Sequence, residues 1–286
     1  MNRPTAALLL VSLLWGTTFV AVKSGVADAS PVLFVGIRFA IATALSMCLV
    51  RDWGAVRRTA AVGLPLGATL AIGYATQAIG LVETTPARSA FVTGLNVAIV
   101  PLWAMAFFRR SAAALSLVGL AVTIPGLWLM TSPAGAAWNA GDTWTIACAV
   151  FFALHVVVLN RFAPGQDPSG LLVTQFFATS VLCLLASPLC ETPRLEITRE
   201  LGVALLVTAV FAGLGVGWLQ IRYQTQVDPT RAAVIYVTEP VFAALFSWWF
   251  TGELFAPVAW AGAGLILAGM LLSEFGAMRR ARCGGL

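Results

Sequence analysis

Charge is what this sequence has least of. Asp, Glu, Lys and Arg make up 10% of its 286 residues, whereas a soluble domain carries about 25%. Hydrophobic residues account for 59% and the mean hydropathy is +0.90. A chain of this kind belongs in lipid, where every backbone polar group must be satisfied inside a helix or a closed barrel. Barrel strands alternate over segments of roughly 10 residues, whereas the apolar runs here are continuous for about 20, which predicts helices.

Further absences narrow the function. His155 is the single histidine, so neither an HExxH site nor a cage of several histidines can form. A G-x-S-x-G elbow and a Walker A loop are both missing, which removes the basis for serine hydrolase chemistry and for ATP-driven pumping. The five cysteines (Cys48, Cys148, Cys183, Cys190, Cys283) make no CxxC pair and no zinc spacing, and read as small core residues rather than a disulfide framework. No cofactor or metal is expected. The first apolar run continues to Val22 without an A-x-A site, so it reads as the first span and not as a cleaved leader. The net charge of +5 resides in short loops, which is a topological signature and not a nucleic-acid footprint.

What is present reads as ten membrane spans, at roughly Thr5–Lys23, Pro31–Val50, Thr59–Val82, Ala87–Phe108, Ala112–Met130, Asp142–Arg161, Pro168–Ser187, Glu200–Tyr223, Pro229–Phe250 and Ala256–Phe275. With the N-terminus in the cytoplasm, Arg3, Arg51, Arg57, Arg58, Arg109, Arg110, Arg161, Arg222, Arg231, Arg279, Arg280 and Arg282 fall inside. Lys23, Arg88, Arg194 and Arg199 fall outside, and Arg38 lies within the second span. That is 12 cations inside against 4 outside, which places both termini in the cytoplasm.

The last quarter of the chain repeats an earlier stretch at an offset of 143. Pro86 lands on Pro229, Arg88 on Arg231, Arg110 on Glu253, Gly119 on Gly262 and Gly126 on Gly269. Such self-similarity governs the fold reading. Residues 1–130 form a first five-span repeat, 131–141 a periplasmic linker, 142–276 a second repeat, and 277–286 a basic cytoplasmic tail. Five spans is an odd number, so the second repeat enters the membrane from the opposite side. Inverted repeats of this kind are typical of secondary transporters, in which two halves rock about a central site.

Three ionisable groups lie near mid-membrane: Arg38, His155 and Glu239. Such groups are expensive in lipid and face a cavity or a partner. Arg38 reads either as a ligand or as an anchor to neighbouring carbonyls, and His155 either as a ligand or as a neutral packing residue. Glu239 precedes Pro240 and reads as functional. Polar and aromatic residues share helical faces at similar depth: Trp15, Thr18 and Phe19; Tyr74 and Gln77; Thr93 and Asn96; Trp218; and Tyr236 beside Glu239. Together they are expected to line a central cavity. Pro101 and Pro240 are candidate hinges. Gly213, Gly215 and Gly217 lie in mid-span and read as a close-packing face. An intramembrane enzyme would have only His155 and Glu239 for a dyad, so an enzyme is disfavoured beside a transporter or a channel.

Trp15-Gly16, Arg38, Thr238-Glu239-Pro240-Val241-Phe242, Thr251-Gly252-Glu253 and the Gly-rich last span, in this order, resemble the drug/metabolite transporter superfamily, specifically its EamA-type ten-helix exporters. The resemblance covers nearly the whole chain. It implies a basket of spans 1–4 and 6–9 around a central cavity, with spans 5 and 10 outside, and export of small metabolites across the bacterial inner membrane. Arg110 stands where the family often has a glutamate matching Glu253. The side chains above look most like those of an amino-acid exporter, the aromatic type included, and would also suit a nucleobase or an aromatic drug. The expected partners are a small-molecule substrate and the lipid bilayer, with no nucleic acid.

Overall fold

In the computed structural model, which describes residues 3–108, 114–131, 138–252 and 256–283, the chain is all-helical between short connections. The helices are α1 (Arg3–Asp28), α2 (Pro31–Met47), α3 (Trp53–Glu83), α4 (Pro86–Gly94), α5 (Asn96–Phe108), α6 (Ala114–Thr131), α7 (Ala140–Phe162), α8 (Pro168–Cys190), α9 (Arg199–Leu206), α10 (Val216–Gln224), α11 (Pro229–Tyr236), α12 (Glu239–Thr251) and α13 (Pro257–Cys283). A π-helical stretch, Val207–Gly215, joins α9 to α10. With α4–α5, α9–α10 and α11–α12 each forming one span, ten spans result. Seven are long and apolar enough to cross a membrane, and Pro31–Met47, Leu117–Leu129 and Pro257–Leu272 are shorter apolar helices.

Span starts are written locally. Pro31, Pro86, Pro168 and Pro229 each sit at a first helical position, where the missing N–H costs nothing. Thr85, Asp167 and Asp228 cap the helices that follow them. Ser30 makes no such cap. Glu191, at the end of α8, instead accepts the Val32 and Leu33 N–H groups and ties the start of α2 to the end of α8. Asn139 and Asp142 form a capping box that opens α7.

The two halves pack alike. α7 lies against α4 and α5 as α1 lies against α11 and α12, and α3 packs on α7 as α9 and α10 pack on α1. α6 and α13 are pseudo-equivalent and pack chiefly on each other, outside the rest of the bundle. Their contact explains the repeated glycines. A Cβ on Gly126 would stand 2.7 Å from the Gly262 carbonyl oxygen, and one on Gly269 2.6 Å from that of Gly119. These are the two glycine pairs related by the 143 offset, each facing the other repeat across the pseudo-twofold axis. Close packing by Gly262 and Gly269 is therefore within the chain, whereas Gly264 faces open space. Gly126→Ala is expected to force α6 from α13 and cost about 1–3 kcal/mol. Gly264→Ala should leave the thermal unfolding midpoint in detergent nearly unchanged, and equal losses in both variants would refute this packing.

Several boundaries differ from those expected. α1 and α3 run beyond the apolar runs, because Ser24–Asp28 and Trp53–Arg58 contain no proline and tolerate their single glycines, Gly25 and Gly54. α13 continues to Cys283, through most of the stretch set apart as a basic tail, because Ala277, Met278, Arg279, Arg280 and Ala281 are strong helix formers. Arg109, Arg110, Glu253 and most of the 131–141 connection lie outside the described residues, and the contrast between Arg110 and Glu253 with them.

The expected hinges lie beside two local tightenings. Span 4 closes i→i−3 turns around Leu95, between Gly94 and Asn96, and span 9 does so around Val237 and Thr238. Short 3₁₀ turns inside helices often mark hinges. Pro240 follows its break at the start of α12, whereas Pro101 lies inside α5, beyond its break. A Cβ on Gly94 would be 3.1 Å from Pro240, so the two breaks touch where the halves meet.

Candidate functional site

Six spans turn side chains into one central cavity. α1 supplies Trp15, Thr18 and Phe19; α3 supplies Leu70, Tyr74 and Gln77; α7 supplies Phe152, His155 and Val156. Asn96 enters from the start of α5, Gln220 from α10, Tyr236 from the end of α11 and Glu239 from the start of α12. Asn96 and Glu239, 143 residues apart, are thus equivalent residues placed by equivalent helix breaks. Spans 2 and 7 contribute nothing to the wall. The cavity encloses about 470 Å³ of empty space, of which only about 30 Å³ is open to the centre of a water-sized molecule. That holds two or so waters, so a metabolite requires the surrounding helices to part.

Aromatic rings form much of the wall. Trp15 and Tyr236 meet edge to face with centroids 5.2 Å apart, and Tyr74 and Phe152 do so at 4.7 Å. Polar atoms converge among them without protein partners. Trp15 Nε1, His155 Nε2 and Asn96 Oδ1 are buried and make no hydrogen bond among the described residues. The other imidazole nitrogen, His155 Nδ1, lies 3.0 Å from Thr69 Oγ1, which fixes the ring. Glu239 is 9% exposed, and its carboxyl is the only acidic group in the wall among the described residues. Native interiors rarely leave such atoms unmatched, and an unmatched set facing one void is what a polar ligand would satisfy.

A second polar layer braces the first. Gln77 Nε2 donates to Thr93 Oγ1 at 3.3 Å, so Thr93 stands behind the wall rather than in it. Tyr236 Oη and Gln220 Nε2 both donate to Gln224 Oε1 at 2.9 Å, and Gln224 Nε2 donates to Asn160 Oδ1. Asn160 in turn donates to the Gln224 and Val227 carbonyls, closing the end of α10. At the other end of the bundle, Lys23 plays the corresponding part, donating to the Leu81 and Val82 carbonyls at the end of α3.

Arg38 and Trp218 are not brought to the cavity. Trp218 lies under Arg222, 5.4 Å from ring centroid to guanidinium, in a separate open depression that also includes Arg51 and Asp167. Arg38 is only 2% exposed and sits behind Tyr74, its guanidinium 4.4 Å from that ring and 4.9 Å from Phe39. The residues that sequence reasoning missed are Leu70, Phe152, Val156 and Gln220. Gln220 was detectable, since it lies 143 residues after Gln77.

The mouths of the basket carry a repeated arginine. Arg88 Nε and Nη2 donate to the two oxygens of Asp142, at 2.8 and 2.5 Å, joining the start of α4 to the start of α7. At the opposite end, its equivalent Arg231 donates from Nη2 to Thr5 Oγ1 at 3.1 Å, joining the start of α11 to the start of α1.

A two-fold helical basket of this kind around an enclosed polar cavity defines a multi-pass membrane protein of the transporter class. The EamA-like transporter family matches residues 4–132 and again 139–275, and the chain belongs to that family. It is a membrane transporter and not an enzyme. An uncharacterized transporter of Archaeoglobus fulgidus is 30% identical over 267 residues, 93% of this chain and 83% of its own. The uncharacterized inner membrane transporter YedA of Escherichia coli is 25% identical, covering 94% of this chain and 90% of its own. A probable amino-acid metabolite efflux pump of Salmonella typhimurium is 27% identical over the full length of both chains. A solved protein crystal structure at 19% identity superposes with a TM-score of 0.80 over 96% of this chain and 98% of its own, which is a likeness of fold.

Proposed function

We propose that the chain exports small amino-acid-like metabolites, aromatic ones among them, across a bacterial inner membrane by alternating access through the central cavity. The observation that carries this reading is the Glu239 carboxylate, facing an aromatic-walled void without a described hydrogen-bond partner. An ammonium group satisfies a buried carboxylate by charge-assisted hydrogen bonds, and the Trp15, Tyr74, Phe152 and Tyr236 rings offer faces and edges to an aromatic side chain. Asn96 Oδ1 can accept a second ammonium N–H, and Trp15 Nε1 can donate to a ligand oxygen. The name of the Salmonella relative agrees with this substrate class, and the cation bias of the loops together with the name of YedA agrees with an inner membrane and cytoplasmic termini.

In this mechanism the two halves, divided near residues 131–141, exchange their shapes. Parting of α4 from α7 beside Arg88 opens one mouth, and parting of α11 from α1 beside Arg231 opens the other. The helix breaks around Leu95 and Thr238 supply the bends. Uptake of labelled phenylalanine, tryptophan, threonine and adenine into liposomes tests the reading. Saturable uptake of the amino acids is expected. Uptake of adenine alone, or of none of the four, would overturn the substrate class.

A further inference from the structure

Arg38 poses a problem that the cavity wall does not solve. It is a fully enveloped guanidinium in mid-span, its Nε and Nη2 have no hydrogen-bond partner, and no described carboxylate pairs with it. Its contacts are the faces of Phe39 and Tyr74. A buried cation packed on ring faces with Nε and Nη2 unmatched keeps directional donors in reserve, and planar donors of this kind match a carboxylate. The Tyr74 ring stands between the guanidinium and the void, since Tyr74 both lines the cavity and covers Arg38. Tyr74 is itself packed between neighbouring rings, Phe152 on the cavity side and Phe39 on the Arg38 side. Its displacement therefore costs ring packing and its polar contacts to Arg38 and Trp15, which the guanidinium–carboxylate pair must outweigh.

We propose that Arg38 is a concealed anion site that receives the substrate carboxylate when Tyr74 swings aside, so that the transporter selects zwitterions over simple amines. This rests on the amino-acid reading above and deepens it: Glu239 takes the ammonium, Arg38 the carboxylate, and Tyr74 is the shutter between them. In the resting state the shutter hides the cation, and the cavity displays the Glu239 carboxyl group alone. An amine can engage that group but gains nothing from opening the shutter. A zwitterion gains the guanidinium hydrogen bonds, and that gain drives Tyr74 aside.

Equilibrium binding to purified wild type, by isothermal titration, separates the possibilities with three probes: L-phenylalanine, phenethylamine without the carboxylate, and 3-phenylpropionate without the amine. Phenylalanine is expected to bind at least about tenfold more tightly than either. Arg38→Gln should weaken phenylalanine about tenfold and leave phenethylamine within about twofold, with Arg38→Lys restoring part of the loss. Tyr74→Ala, which removes the shutter, should raise the affinity for 3-phenylpropionate. Equal binding of phenylalanine and phenethylamine by wild type would overturn the concealed site while leaving amine-bearing metabolites as substrates. That comparison needs no variant, so a misfolded Arg38→Gln protein does not decide the matter. Binding of none of the three probes would overturn the amino-acid reading and the concealed site together.

Discussion

Replacing Glu239 by glutamine is expected to reduce binding and transport of amino acids by about tenfold to a hundredfold while leaving the fold as stable as before, or more so. Glu239 is the only acid in the cavity wall among the described residues, and a hydrogen bond to a charged group contributes about 1.5–3 kcal/mol, which is that factor in affinity. The stability arm has the opposite sign. A carboxylate enclosed without a counter-ion costs free energy that an isosteric amide does not, so the unfolding midpoint in detergent should hold or rise. Residues retained for function against stability behave in this way. A variant that transported normally, or one that lost transport because it unfolded, would remove Glu239 from the binding role.

Asp142→Ala is expected to have the largest effect on stability, a loss of about 3–5 kcal/mol. The Asp142 side chain is fully buried and that of Arg88 is 17% exposed, so truncation strands a guanidinium with little water to receive it. Asp142 also accepts the Asn139 N–H in the capping box, and that cap is lost as well. The paired variant Arg88→Met, Asp142→Leu should recover much of the loss, because removing both charges removes the stranded one. The coupling in this double-mutant cycle is the measurement, read from chemical unfolding in detergent. Additive single effects would show that the two side chains contribute separately and that the strap between α4 and α7 is not a unit.

The architecture was legible because lipid leaves few options. Ten apolar runs and one offset point to the ten spans and the two halves, and the basket with its peripheral pair of spans was what the resemblance implied. The cavity was legible where a polar residue stood on an apolar helix at mid-depth, as with Gln77, Asn96 and Glu239. Arg38 satisfied that same criterion and lies behind the wall rather than in it, because depth along a span does not say which way the span is turned. Trp218 failed for a local reason. The π-helical stretch at Val207–Gly215 closes wider i→i+5 turns, so face assignments made at 3.6 residues per turn do not carry through it. Beyond it, Gln220 faces inward and Trp218 faces the Arg222 side. The hinges were placed at prolines, whereas the tight turns precede them at Leu95 and Thr238, positions without a compositional signal of their own.

The central claim is that this cavity opens to each side in turn. Thr18→Cys, in a chain whose five native cysteines are replaced, puts a near-isosteric thiol on the cavity wall. In oriented vesicles, a membrane-impermeant thiol reagent applied from either side is the direct test. The account predicts slow labelling from both sides, protection by phenylalanine, and no current across a planar bilayer. Labelling from one side only, or a steady current with both mouths open, would contradict it.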